Sequence, residues 1–159
     1  MKQEKIVVAK STQETRGVAA RYAAALRGGD VVCLQGDLGS GKTTFAQGIL
    51  VALGAQMPHS SPTFTIVRTY VIQETANLPT GQAGNKQRAN DITTIRHVDP
   101  YRVSQEDVHR IGWEEMIADP RALTIIEWPE RITGLIPSRA HFVTFTFVDD
   151  TTRMITFPS

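Results

Sequence analysis

Cys33 is the only cysteine in the 159 residues, and it sits inside the apolar run VVCLQ. One thiol can build neither an intramolecular disulfide nor a cysteine-rich zinc site. Long hydrophobic runs are missing as well. No stretch approaches the roughly 20 apolar residues that a membrane-spanning helix needs, and the N-terminal MKQEKIVV lacks the apolar core of a signal peptide. The expected compartment is therefore the cytoplasm, with no membrane partner. An excess of charge is absent too: 17 Lys plus Arg stand against 16 Asp plus Glu, a formal +1. That balance excludes a polycationic binder that works by neutralising nucleic-acid phosphates alone. Hydrophobic residues at 41% and charged residues at 21% exclude a disordered or fibrous chain. The length then points to a single domain over residues 1–159 with one sizeable core.

What is present reads as strands alternating with helices. A short strand is expected from Ile6 to Ala9, followed by the capping-box spacing Ser11-Thr12-Gln13-Glu14 and a helix to about Leu26, stopped by Gly28-Gly29. Asp30 to Gln35 reads as a strand buried on both faces, as parallel strands are. A helix follows from Lys42 to Leu53, then strands from Thr65 to Ile72, from Thr93 to Val98 and over Thr124-Ile125-Ile126. A helix from Glu106 to about Ile117 is interrupted near Gly112, and the C-terminus alternates as a hairpin over His141 to Val148 and on to Phe157. The polar, turn-rich stretch from Gln73 to about Thr94 reads as a hairpin tip or insertion.

Gly36-Asp37-Leu38-Gly39-Ser40-Gly41-Lys42-Thr43 satisfies G-x-x-x-x-G-K-[ST] at every fixed position, with a buried strand before it and a helix after it. The spacing wraps backbone around a phosphate: glycines permit positive φ, N–H groups approach the anion, and the helix adds its positive dipole end. Lys42 would neutralise the β- and γ-phosphates and the Thr43 hydroxyl would coordinate Mg²⁺, while Thr44 is either an α-phosphate contact or an early-helix residue. The fold class implied is α/β, a P-loop NTPase fold with a mixed, mainly parallel central sheet flanked by helices and an antiparallel hairpin insertion. A guanine-specific GTPase carries N-K-x-D, and here Asn85-Lys86-Gln87-Arg88 lacks the Asp, so ATP is the expected nucleotide. Two strands end in a carboxylate, Asp99 after His97-Val98 and Glu127 after Ile125-Ile126, the arrangement that sets an acid beside a P-loop. One could serve the metal while the other positions water or a supporting group.

Together these blocks resemble the TsaE (YjeE) family, small ATPases of the bacterial tRNA threonylcarbamoyladenosine pathway. The resemblance rests on the P-loop run through Thr44-Phe45, on Ser61-Pro62-Thr63-Phe64-Thr65-Ile66-Val67 with Tyr70, on His97-Val98-Asp99-Pro100-Tyr101-Arg102-Val103, and on Ile126-Glu127-Trp128-Pro129-Glu130. It implies nucleotide contacts from Asp37, Leu38, Gly39, Ser40, Gly41, Lys42, Thr43, Thr44 and Trp128, with Thr43 and Glu127 as metal ligands and Lys42, Asp99 and Glu127 as catalytic groups. It also implies that Thr63 senses the γ-phosphate from a switch loop and that Glu14 and Thr15 fall near the adenine, although Glu14 also has its capping-box explanation. The implied partners are the TsaB–TsaD pair, in which TsaD performs the transfer that this family does not, and tRNA indirectly through that pair. Pro100 in place of the usual Leu and the long stretch between Tyr70 and His97 depart from the family pattern. A small-molecule kinase using the same loop is the alternative function. His97 could orient Asp99 or be a core histidine, Arg102 could pair with a carboxylate or reach a phosphate, and no arginine finger can be named.

Overall fold

Strand β2 (Val31–Gln35) sits between two cores, with Val31, Val32, Cys33 and Leu34 all 1% exposed or less. Successive side chains of a strand point to opposite faces. Val32 and Leu34 therefore join one hydrophobic cluster, and Val31 and Cys33 join a second on the other side of the sheet. Burial alone pushes the Cys33 thiol up to about 12, which leaves it protonated and inert.

The structure is a computed structural model that describes residues 4–56, 65–72 and 91–157. Its remaining elements are β1 (Lys5–Ala9), α1 (Thr12–Ala23), α2 (Lys42–Ala52), β3 (Val67–Val71), β4 (Thr94–Val98), α3 (Gln105–Arg110), α4 (Trp113–Ala118), β5 (Ala122–Glu127), a 3₁₀ segment (Pro129–Leu135), β6 (His141–Phe147) and β7 (Arg153–Phe157). Seven strands form one sheet in the order β1-β7-β6-β2-β5-β4-β3. The four in the middle, β6, β2, β5 and β4, run parallel, whereas β7 and β3 run antiparallel to their neighbours. This is the mixed, mainly parallel sheet that the sequence implies. Helices α1 and α2 cover one face, while α3, α4 and the 3₁₀ segment cover part of the other. Trp113 fixes that second layer by donating its indole N–H to the Leu135 carbonyl at 2.9 Å. Among the described residues no helix is long and apolar enough to cross a membrane.

Several boundaries differ from the sequence reading. Helix α1 stops at Ala23, because Ala25 and Leu26 turn into bonds with Tyr22 and Ala23, a tightened last turn that drops Leu26 into the core. Gly112, at φ +82, separates α3 from α4 as the expected interruption does. The 3₁₀ segment has no counterpart in the sequence pattern; it begins after Trp128, which adopts left-handed backbone at φ 53, ψ 50. Strands β3 and β4 pair antiparallel, and the connection between them over 73–90 lies outside the described residues.

The closest approach of α1 to α2 depends on Gly48. A Cβ there would meet Ala19 Cβ at 2.6 Å and the Arg16 backbone at 3.1 Å. Helix propensity alone would make Gly48→Ala stabilising by about 1 kcal/mol. Overpacking against backbone costs about 1–3 kcal/mol, so the clash outweighs the propensity gain. Gly48→Ala is expected to lower the urea midpoint, and an unchanged or raised midpoint would show that the helices part easily.

Candidate functional site

The chain leaves β2 through Gly36 at φ +147, where a Cβ would collide with the Phe145 carbonyl at 2.5 Å, so only glycine lets the loop begin there. It enters α2 through Gly41 at φ +106, and that helix start carries no side-chain cap. Uncapped N–H groups at a helix N-terminus form an anion site strengthened by the dipole. Lys42 folds back under the loop: its ammonium donates to the Gly36 carbonyl at 2.6 Å and the Asp37 carbonyl at 2.8 Å, and lies 3.7 Å over the Trp128 ring. Burial lowers the Lys42 pKa, opposed by the charges of Glu127, Glu130, Asp37 and Asp99.

Strand alternation brings the acids to the loop. Ile95 and His97 share a face of β4, and the same spacing carries Asp99 to the strand's end on that side. Leu123, Ile125 and Glu127 share a face of β5, and His97 registers with Ile125. Glu127, 2% exposed, accepts the Thr43 hydroxyl at 2.9 Å on Oε2 and 3.2 Å on Oε1, and its Oε1 lies 2.7 Å from His97 Nε2. His97 is buried in the core as one of the two expectations has it, and its bond goes to Glu127, not to Asp99. Asp99 hangs at the mouth, its amide on the Ile66 carbonyl at 3.0 Å and its carboxylate accepting the Tyr101 amide at 3.1 Å. Desolvation raises the Asp99 pKa, with Glu127 adding to the rise and the Tyr101 amide, His97 and Lys42 opposing it.

These groups open onto a cleft of about 990 Å³, large enough for a nucleotide. Leu38, Gly39, Gly41, Lys42, Thr43 and Thr44 line it together with Thr15, Asp99, Glu127 and Trp128. Asp37 is exposed and contributes its carbonyl to Lys42, while Ser40 is buried with its hydroxyl unpartnered among the described residues. Thr15 donates to the Ser11 carbonyl at 3.2 Å, and Glu14 accepts the Lys10 amide at 2.7 Å while its own amide bonds Ser11 Oγ. Arg102 is exposed along the cleft. Thr63, the hairpin tip and the Asn85-Lys86-Gln87-Arg88 stretch lie outside the described residues. Thr43 and Glu127 offer the hard oxygen donors that Mg²⁺ prefers. Among the described residues Glu127 has no Lys or Arg ion-pair partner, so a cation there would compensate a buried charge.

One residue that the sequence did not single out reaches the loop. Arg153 of β7 donates from Nε to the Gly39 carbonyl at 3.2 Å and from Nη1 to the carbonyls of Asp149 and Thr152 at 2.5 and 2.9 Å, and it stacks on Phe147. It thereby ties the tip of the phosphate loop to the β6–β7 turn, 114 residues away. No local signal marks it, since an arginine opening a strand is ordinary. Arg153→Ala should weaken nucleotide binding about tenfold through loss of a charged hydrogen bond and a looser loop. Titration with a fluorescent ATP analogue measures this, and unaltered affinity would mean the loop holds its shape without the tie.

The family model for threonylcarbamoyl adenosine biosynthesis protein TsaE matches residues 9–155. The chain is 34% identical to the tRNA threonylcarbamoyladenosine biosynthesis protein TsaE of Rickettsia bellii, over 92% of this chain and 90% of that protein. It is 32% identical to the protein of the same name from Bacillus subtilis, covering 91% and 79%, and 31% identical to that of Treponema pallidum, covering 94% and 96%. The crystal structure of Bacillus subtilis YdiB superposes with a TM-score of 0.70 at 25% identity, covering 100% of this chain and 87% of that one. A match that encloses the phosphate loop, the His97–Asp99 strand end and the Glu127-Trp128 strand end leaves one assignment: the chain belongs to the TsaE family of threonylcarbamoyl adenosine biosynthesis proteins.

Proposed function

We propose that this chain is a Mg²⁺-dependent P-loop ATPase required for threonylcarbamoyladenosine modification of tRNA. In this reading it acts in the cytoplasm with a TsaB–TsaD pair, meets tRNA through that pair, and resets the pair between turnovers. The observation that carries the chemical half is the buried Glu127 carboxylate held 2.9 Å from the Thr43 hydroxyl, its charge acting on the Lys42 ammonium. Relatives named for tRNA threonylcarbamoyladenosine biosynthesis support the biological half.

The residues then have distinct tasks. The amides of the loop and of the α2 N-terminus bind phosphate oxygens, and Lys42 exchanges part of its hold on the Gly36 and Asp37 carbonyls for the β- and γ-phosphates. Thr43 and Glu127 hold Mg²⁺, which supplies charge neutralisation on the phosphates when bound. Asp99, at the mouth, orients the attacking water; desolvation makes it the more basic for that task. Trp128, in contact with both Lys42 and Tyr101, walls the cleft against bulk water. One small domain offers few groups to stabilise the developing charge, so hydrolysis by the isolated chain is slow. The Ser61 to Val67 segment serves as the γ-phosphate-sensitive switch, with Thr63 as its sensor.

ATP hydrolysis by the purified chain, alone and with the TsaB–TsaD pair of its own organism, tests the proposal. The pair should raise the rate. Glu127→Gln should cut hydrolysis at least about 100-fold while ATP binding persists, whereas Lys42→Ala should lose binding as well. A rate indifferent to the pair would count against coupling, and phosphoryl transfer to a small acceptor would favour a kinase.

A further inference from the structure

His97 is fully buried in β4 among aliphatic neighbours, Ile95, Leu123 and Ile125, that are fully buried as well. A branched aliphatic side chain would suit that position without burying any polar atom. The imidazole instead spends one nitrogen on Glu127 and leaves the other, Nδ1, without a hydrogen-bond partner among the described residues. An unmet buried polar atom costs stability, so the position is better suited to Glu127 than to packing. The geometry says how. An ionised carboxylate only accepts, so Nε2 carries the proton and donates to Oε1 at 2.7 Å. Oε2 is thereby left as the oxygen nearer the Thr43 hydroxyl, 2.9 Å against 3.2 Å for Oε1. Register explains why a histidine reaches from this position. His97 is level with Ile125, so Glu127 lies two residues further along the neighbouring parallel strand, a diagonal that a long side chain spans.

We infer that His97 is a positioning residue: by donating to Oε1 it fixes the rotation of the Glu127 carboxylate and presents Oε2, with the Thr43 hydroxyl, to a divalent cation. The inference rests on the Mg²⁺-dependent reading above. It assigns His97 no contact with nucleotide and no proton transfer. Hydrogen bonds to a ligating carboxylate from behind typically change metal affinity 10- to 100-fold.

The test uses the full chain and titrates Mg²⁺ against a fixed concentration of the fluorescent analogue mant-ATP, reading analogue fluorescence instead of turnover. In His97→Phe, which keeps the ring and removes the donor, the half-saturating Mg²⁺ concentration should rise about 10- to 100-fold. Affinity for mant-ATP in EDTA, which depends on Lys42 and the loop, should stay within about twofold. His97→Gln, whose amide reaches the Nε2 position, should restore Mg²⁺ half-saturation to within about threefold, while His97→Asn, too short to reach, should resemble Phe. The Gln and Asn pair carries the test if the Phe variant fails to fold. Removing His97 in a Glu127→Gln background should add little further loss, because the two act as one unit. Unchanged Mg²⁺ half-saturation in His97→Phe, or equal loss with and without Mg²⁺, would overturn the inference and leave His97 a packing residue. A wild-type chain whose mant-ATP binding ignores Mg²⁺ would instead overturn the Mg²⁺-dependent reading together with this one.

Discussion

A carboxylate taken out of water has to be met by donors or by a cation, and Glu127 is met from two sides. It terminates β5, a strand in which all six residues are buried. From α2 comes the Thr43 hydroxyl and from β4 the His97 ring. Both partners belong to elements whose positions are fixed by other means: α2 by the glycine-rich turn out of β2, and β4 by its parallel pairing with β5. The site is thus where three elements, two of them neighbouring strands, meet at one carboxylate. Among the described residues its carboxylate has only the Thr43 hydroxyl and the His97 ring at hydrogen-bond distance, and that imbalance is the electrostatic basis of the proposed cation site.

The sheet supplies the frame for this agreement. Parallel strands β2, β5 and β4 all deliver their carboxyl ends to one edge, where open α/β sheets bind ligands. The two cores let that edge stay irregular. Between them they bury Val31 to Leu34 of β2, so the phosphate loop hangs from an anchored strand while its glycines adopt backbone that a strand or helix interior would not tolerate.

Aromatic and cationic groups complete the cleft from outside that frame. Trp128 holds left-handed backbone immediately after Glu127, and this turn lays its ring beside Lys42 and Tyr101, with Arg131 over the Tyr101 ring. The β6–β7 turn is braced by Asp149, whose carboxylate accepts the amides of Thr151 and Thr152 at 2.9 and 2.8 Å. Arg153 joins that turn to Gly39. The β6–β7 turn thereby forms a wall of the cleft, to which Asp150, Thr151 and Arg153 contribute.

The features legible in the sequence are those whose physics is local. The phosphate loop depends on backbone freedom at fixed positions within eight residues, so G-x-x-x-x-G-K-T carries it whole. The buried strand over Val31 to Leu34 follows from a short continuous apolar run, and the two acids from their places directly after such runs. Tertiary structure decided everything that depends on register and reach. That His97 bonds Glu127 and not its sequence neighbour Asp99 follows from β4 lying two residues out of step with the carboxylate on β5. Arg153 meets the loop only because β6 pairs with β2 and β7 with β6. The early end of α1 and the 3₁₀ segment after Trp128 were set by which side chains the cores would accept, with Leu26 and Ile132 drawn inward. Local propensity reaches a few residues along the chain, whereas a hydrogen bond between distant strands exists only once the sheet has fixed their alignment.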